Sequence, residues 1–413
     1  MFLKILFLQN FRSYSKSEFN FNKKTTLIVG PNTSGKSNII ESIYLLSTGK
    51  SFRAGKDFEM IRFGEEMGRV KAQIQNSKFK IQNCEGEEPF SSFPGEKTSN
   101  TLEDLEVVLT TGLVSGIATP LKKYLLNGVS KRRVNFASNL KTVLFSPQNL
   151  DIIIGSPSLR RNFLDEVLEQ ADQEYRLAII NYFKALRQRN ALLEKAKDTG
   201  YKNEKLFEYW DDFLIKNGEV ITKKREQLIE FINKEEKEIF NFQAIYDHSI
   251  ISKERLLQYK DAELWSGVTL VGPHRDDINI RIDANMPGCH AEFISASKKY
   301  GSGILKQVQD NKVQVKDINN KIDIKYFGSR GQQRLAILQL KMLQILYIEK
   351  ASNDRPLLLL DDIFSELDEG HINLVLKMIQ GQQTIITTTH KDFIPENLLK
   401  DVHVVELRNN GRI

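Results

Sequence analysis

Only two cysteines, Cys84 and Cys289, occur in 413 residues, which excludes a disulfide framework and suits a reducing compartment. No apolar run approaches the roughly 20 residues needed to cross a bilayer. The opening stretch, Met1-Phe-Leu-Lys-Ile-Leu-Phe-Leu-Gln-Asn10, is apolar, but it is too short for a secretory core and lacks a small-residue cleavage site. It alternates as a strand does. These absences predict a soluble, cytoplasmic protein with no membrane partner. A large excess of one charge sign is missing too. The 59 Lys plus Arg against 53 Asp plus Glu leave +6, which permits a nucleic-acid partner without demanding one. What is there is an ordinary globular composition, 40% hydrophobic and 27% charged, on a chain long enough for two or three lobes.

Along the chain, residues 1 to about 110 read as strands with one helix. Thr25-Thr-Leu-Ile-Val29 is a β-branched run ending in Gly30, as a buried strand would be. Ile39, Ile40, Ile43 and Leu46 recur at helical spacing after it. Lys122 to Arg133 reads as a hairpin turning on Asn127-Gly128, which supplies two positive φ angles. From Val114 to Ser138 there are five basic residues, Lys122, Lys123, Lys131, Arg132 and Arg133, and no acidic one. Such a run is either a solvated edge strand or a phosphate-facing patch. Ser156-Pro157 is a helix start, and 157–198 and 204–240 read as two long charged helices, an antiparallel arm without a strict heptad. Gly267-Val-Thr-Leu-Val271 reads as a strand. Leu357-Leu-Leu-Leu360 and Thr384-Ile-Ile-Thr-Thr-Thr389 read as strands of a parallel sheet covered on both faces. Residues 284–313 break the pattern and read as a tolerated loop insertion. Cys289 and His290 lie within it as adjacent residues without partners, too little for a metal site.

Gly30-Pro31-Asn32-Thr33-Ser34-Gly35-Lys36-Ser37 is a full match to the phosphate-cradling pattern GxxxxGK[ST]. Its backbone N–H groups converge on phosphate oxygens, Lys36 reaches the β and γ phosphates, and the Ser37 hydroxyl ligates magnesium. The helix that follows adds its positive end. The chemistry implied is ATP with Mg2+. Asp361, at the end of a buried strand, completes the magnesium shell, and Asp362 is placed to polarise the attacking water. In Phe327-Gly-Ser329-Arg330-Gly331-Gln332-Gln333-Arg334, Ser329, Gly331 and Gln332 open a helix and form a second anion site. Taken alone, that segment is also a capped helix start. One chain has one cradle, so the second site is expected to close over the γ-phosphate held by another copy. Ser365-Glu366-Leu367-Asp368 follows the acidic pair and is expected at that seam. His390, after the Thr-rich strand, is placed to bond the γ-phosphate or the water.

Cradle, signature, acidic strand, Ser-Glu-Leu-Asp loop and His in this order resemble the ABC-type ATPases of the chromosome-maintenance and Rad50 branch. The resemblance is closer to the RecF family, carried by Asn10-Phe11-Arg12-Ser13-Tyr14, the Asn127-Gly128 hairpin, Phe145-Ser-Pro147-Gln-Asn-Leu150, Arg160-Arg161-Asn-Phe-Leu164-Asp165, Gly272-Pro-His-Arg-Asp-Asp277 and Asp361-Asp-Ile-Phe-Ser-Glu-Leu-Asp368. It implies an α/β fold, an ABC-type P-loop ATPase head with an inserted helical arm. The expected parts are 1–150 for the first part of the head, 151–262 for the arm, and 263–413 for the rest of the head with the 284–313 insertion. It also implies an ATP-dependent homodimer that clamps single-stranded, duplex or gapped DNA, with slow DNA-stimulated hydrolysis. Recombinational and replication-fork repair, the SOS response and recombinase-loading partners come with the same resemblance. Gln148 then falls where such proteins carry a γ-phosphate-sensing lid residue, and Arg12 where they touch the nucleotide. DNA contacts would be mainly to phosphates. The competing readings are another SMC/Rad50-like branch or the energising subunit of a transporter. The long charged arm and the Gly272–Asp277 segment have no use in the transporter subunit.

Overall fold

The computed structural model describes residues 1–78, 99–200, 204–283, 321–364, 381–390 and 402–407, with a few positions between 370 and 379. Cys84, Cys289, His290, the 284–313 insertion and Ser365 to Asp368 lie outside the described residues. The chain divides into two compact units, one of Met1–Pro147 with Asn353–Ile413, the other of Gln148–Ser352.

In chain order the first unit supplies β1 (Phe2–Phe11), β2 (Tyr14–Asn20), β3 (Thr25–Val29), α1 (Lys36–Thr48), β4 (Met67–Lys78), β5 (Ser99–Thr110), β6 (Lys122–Leu126), β7 (Val129–Lys131) and β8 (Thr142–Phe145). The second supplies α2 (Pro157–Ala171), α3 (Gln173–Thr199), α4 (Glu204–Lys234), β9 (Gln243–Asp247), α5 (Lys253–Gln258), α6 (Lys260–Ser266), β10 (Asp277–Asp283), β11 (Lys321–Asp323) and α7 (Arg330–Ser352). The chain then returns to the first unit with β12 (Leu357–Asp361), β13 (Thr384–Thr388) and β14 (Val402–Glu406).

Two large sheets dominate the first unit, beside a two-stranded ribbon of Leu113–Val114 and Ile117–Ala118. An antiparallel sheet runs β2-β1-β4-β5-β6-β7, and a parallel one runs β8-β12-β13-β3-β14. The apolar runs dictate the second arrangement: Leu357 to Asp361 and Thr384 to Thr388 are buried at every position, as strands covered on both faces must be. Each fully buried leucine there contributes about 1.5–3 kcal/mol. Helix α1 packs on both sheets, and its Ile39, Ile40, Ile43 and Leu46 join Leu6, Val70, Leu105, Val107, Leu109 and Leu359 in one core. The parallel register sets Asp361 beside Thr387 and Thr388 beside Val29. The carboxyl ends of β12, β13 and β3 therefore share one edge, where open α/β sheets bind ligands.

The helical unit differs from the sequence reading in three places. The helix expected over 157–198 is broken at Asp172, whose extended backbone ends α2 and whose side chain accepts from Tyr175 N to cap α3. Residues 267–271, read as a strand, form no strand. Gly267 ends α6 in the left-handed conformation, and side chains take the next donors: Thr269 N bonds Asn190 Oδ1 at 2.9 Å and Leu270 N bonds Glu263 Oε1 at 2.8 Å. Residues 263–352, assigned above to the head, group instead with the helices, because β9 pairs β10 and α7 packs on α2 and α4.

A buried polar hub holds this unit. Arg225 donates to Asp276 Oδ2 at 2.7 Å, to Asp165 Oδ1 at 2.8 Å and to Pro273 O at 2.8 Å. Arg160 forks onto Asp277 at 2.6 and 2.8 Å. Two of the segments that carried the family resemblance, Arg160–Asp165 and Gly272–Asp277, thus meet at one point. Among the described residues no helix is long and apolar enough to cross a membrane.

Candidate functional site

The loop after β3 bends through two left-handed residues, Thr33 at φ 71° and Gly35 at φ 97°. For a β-branched residue this conformation is strained, so Thr33 joins the glycines in shaping the turn. A Cβ on Gly30 would lie 2.7 Å from Ser34 Oγ, and one on Gly35 would lie 2.7 Å from Tyr14 Oη. Neither position has room for a side chain. Pro31, Asn32 and Thr33 are exposed at the rim, while Ser34 and Lys36 are buried. Lys36 Nζ donates to the carbonyls of Gly30 at 2.6 Å and Pro31 at 2.9 Å. Burial pushes its ammonium below the usual range, and the charges of Asp362 and Asp361 pull it back up.

Ser37 Oγ donates to Asp361 Oδ1 at 3.0 Å, and Thr387 Oγ1 donates to the same oxygen at 2.7 Å. Asp362 sits at φ 52° with its N–H on Thr387 O at 3.1 Å; aspartate tolerates this conformation, and it turns the chain away as β12 ends. His390 is exposed, and its carbonyl accepts from Thr388 Oγ1 at 3.1 Å. Asp361, Asp362, Ser37 and Lys36 therefore gather at the shared sheet edge. The residues fit a magnesium–triphosphate. Two hard oxygen donors, Ser37 and Asp361, adjoin, and Ser34 Oγ is buried in the cradle without a protein partner.

Arg12 lies at φ 51° and forks onto Glu41 of α1, Nε to Oε2 at 2.9 Å and Nη2 to Oε1 at 2.7 Å. Its third arm reaches Glu59 O at 2.6 Å. Two residues later, Tyr14 Oη donates to Gly35 O at 3.2 Å. Sequence reasoning missed Tyr14, Glu41 and Thr387. The first lies within the Asn10–Tyr14 segment that carries the resemblance, but nothing local marks its hydroxyl as a partner of Gly35, or a threonine on β13 as the partner of Asp361.

In the helical unit, Ser329 and Gln332 cap α7 reciprocally. Gln332 N donates to Ser329 Oγ at 3.2 Å, and Ser329 N donates to Gln332 Oε1 at 2.9 Å. This is a capping box, and it aims the positive helix end outward. Gly331 is exposed, and a Cβ there would meet only Ser329 Oγ at 3.9 Å. Gln148 is exposed in the 3-10 turn Pro147–Leu150.

The basic run is divided. The hairpin forms with Asn127 at φ 50° and Gly128 at φ 77°, and Lys123, Lys131 and Arg132 are exposed on it. Lys122 and Arg133 turn inward. Lys122 Nζ meets Asp57 Oδ1 at 2.5 Å and Gly49 O at 3.1 Å, and Arg133 Nε meets Thr48 O at 3.1 Å. Strand alternation puts Lys122 and Lys123 on opposite faces, so the five basic residues named from the sequence do not share one surface.

The sequence matches the family model described as RecF/RecN/SMC N terminal domain over residues 2–412. A DNA replication and repair protein RecF of Clostridium acetobutylicum is 30% identical over 430 residues, covering 100% of this chain and 99% of its own. One from Bacillus cereus is 30% identical over 432 residues, covering 99% and 97%. Among solved structures, the recombination mediator protein RecF with ATP has a TM-score of 0.75 at 27% identity, covering 100% of this chain and 96% of that one. The structure of the recombination mediator protein RecF-ATPrS has a TM-score of 0.73 at 28% identity, covering 95% of this chain and 94% of that one.

Proposed function

The chain belongs to the RecF/RecN/SMC family, on its RecF branch, and from that premise we propose that it is an ATP-dependent DNA-binding protein of replication and recombinational repair. The observation that supports this best is the pairing of Ser37 with Asp361 at 3.0 Å beside the Lys36 ammonium. Lys36 would hold the β and γ phosphates, and Ser37 and Asp361 would hold Mg2+. Magnesium, when bound, neutralises charge on the phosphate oxygens. Asp362 would orient and deprotonate water, with Gln148 and His390 near the γ-phosphate and Arg12 near the nucleotide.

The capped end of α7, with Ser329, Gly331 and Gln332, would close over the triphosphate of a second copy. Two copies would then sandwich two nucleotides and clamp DNA through Lys123, Lys131 and Arg132. Slow hydrolysis, stimulated by DNA, would reopen the clamp. Loading of recombinase by partner proteins and support of the SOS response would be parts of the same role. Titration of Mg-ATP into wild type and Lys36→Met tests the reading: affinity should fall steeply in the variant, and unchanged affinity would sink it.

A further inference from the structure

Helix α1 carries Lys36 and Ser37 in its first turn and ends at Thr48, where Gly49 turns left-handed at φ 71° with its N–H on Leu45 O. The end of a helix leaves carbonyls unsatisfied and carries partial negative charge. Here three side chains from one stretch close it. Lys122 Nζ and Tyr124 Oη each donate to Gly49 O at 3.1 Å, and Arg133 Nε donates to Thr48 O at 3.1 Å. Asp57 holds Lys122 in place at 2.5 Å, and the Tyr124 ring packs on Phe136 with centroids 5.1 Å apart. There is little slack: a Cβ at Gly49 would lie 3.1 Å from Arg133 Cγ and 3.2 Å from Tyr124 Cε1.

Alternation along β6 sends Lys122 and Tyr124 to α1 and Lys123 to the other face, while Lys131, paired with Tyr124 on the edge strand, and Arg132 beyond it are exposed at the rim of the hairpin. One hairpin therefore grips the helix through Lys122 and Tyr124 and offers solvent three exposed cations, Lys123, Lys131 and Arg132. Helix α1 spans about 20 Å at 1.5 Å per residue. It is buried from Ile39 to Thr48, so close packing makes it move as a rigid rod.

We infer that Lys122, Tyr124 and Arg133 are positioning residues that link anion binding at the exposed cations of this hairpin to the nucleotide site at the opposite end of α1. The inference rests on the proposed DNA-facing role of Lys123, Lys131 and Arg132. Phosphates drawn to those three shift the hairpin, and the inner donors carry that shift through Gly49 to the phosphate loop. Binding free energies couple reciprocally, so nucleotide must also tighten the grip on DNA.

The test uses full-length protein, a fluorescent ATP analogue with magnesium, and a short duplex. In wild type the duplex should tighten analogue binding by a factor of about 5 to 150. Tyr124→Phe removes one hydroxyl and no charge, and should cut that factor at least about threefold, as loss of one hydrogen bond does. Its affinity for duplex without nucleotide, and the salt slope of that affinity, should not change. Asp57→Asn, which weakens the hold on Lys122 without substituting a hairpin residue, should cut the factor as well and serves if Tyr124→Phe folds poorly. A factor undiminished in both variants overturns the link, and so does a wild-type factor of one. Loss of duplex affinity by Tyr124→Phe without nucleotide also overturns it, since the hydroxyl would then be a DNA contact. A separate arm measures Lys123→Gln/Lys131→Gln/Arg132→Gln. Each lost phosphate contact should reduce the salt slope by about 0.9, and an unchanged slope removes both the DNA surface and the link.

Discussion

Ser37 and Asp361, 324 positions apart in the chain, meet at 3.0 Å with the hydroxyl donating to the carboxylate. The contact joins the first turn of α1 to the end of β12, so it exists only when both strands flanking β13 are in register. The same carboxylate oxygen takes the Thr387 hydroxyl. Asp361 is thus held in orientation from two sides, while Asp362 turns into the left-handed region and points elsewhere.

That division of labour predicts the outcome of Asp362→Asn. Asparagine also tolerates positive φ, so the fold and the Asp361 cluster should persist. Mg-ATP should still bind, and light scattering should report a dimer that accumulates. Turnover should fall by about 100-fold or more, the range for a lost general base. A variant that stays monomeric with ATP, or hydrolyses normally, contradicts the assignment.

Gly331 separates the cap from the proposed signature. Its open surroundings accept a methyl group, and alanine in a helix is favoured over glycine by at most about 1 kcal/mol. Gly331→Ala should therefore melt at the same temperature or slightly higher, yet lose ATP-dependent dimerisation as the added methyl group meets the other copy's phosphate. Unimpaired dimerisation would leave this helix end with its capping role alone.

Acid should weaken the helical unit through His274. Its Nδ1 lies 2.7 Å from Tyr182 Oη and its Nε2 lies 3.1 Å from Thr269 O, and burial lowers its pKa to about 4. Above pH 6.5 the ring is neutral in folded and unfolded chains alike. As pH falls toward 4, only the unfolded chain takes up the proton, so stability drops, on the order of 2–3 kcal/mol for such a shift. Asp276, raised by burial, works in the opposite direction but equally in wild type and variant. Urea midpoints at neutral and acid pH should thus fall further in wild type than in His274→Gln; equal falls exclude His274 as the cause.

The parts legible in the sequence are those with local causes. The Gly30–Ser37 loop, its flanking strand and helix, the Asn127-Gly128 turn and the buried runs at 357–360 and 384–388 all carry their signals within a few residues. Asp172 was hidden because its capping bond to Tyr175 N leaves the apolar spacing on either side unbroken. Val268 to Val271 looked like a strand because composition cannot reveal that Asn190, 79 residues away, and Glu263 in the preceding helix take the backbone donors. The basic run could not be sorted by count alone. Only pairing register determines that Lys122 faces α1 and Lys123 faces solvent.

Whether one nucleotide is shared by two chains is tested most directly by mixing two inactive variants, Lys36→Met and Gly331→Ala. Neither alone should hydrolyse ATP. A mixed dimer joins the intact cradle of the Gly331 variant to the intact α7 end of the Lys36 variant, so the mixture should regain turnover. A mixture as inactive as its components, with dimers forming, would contradict a site completed by a second copy.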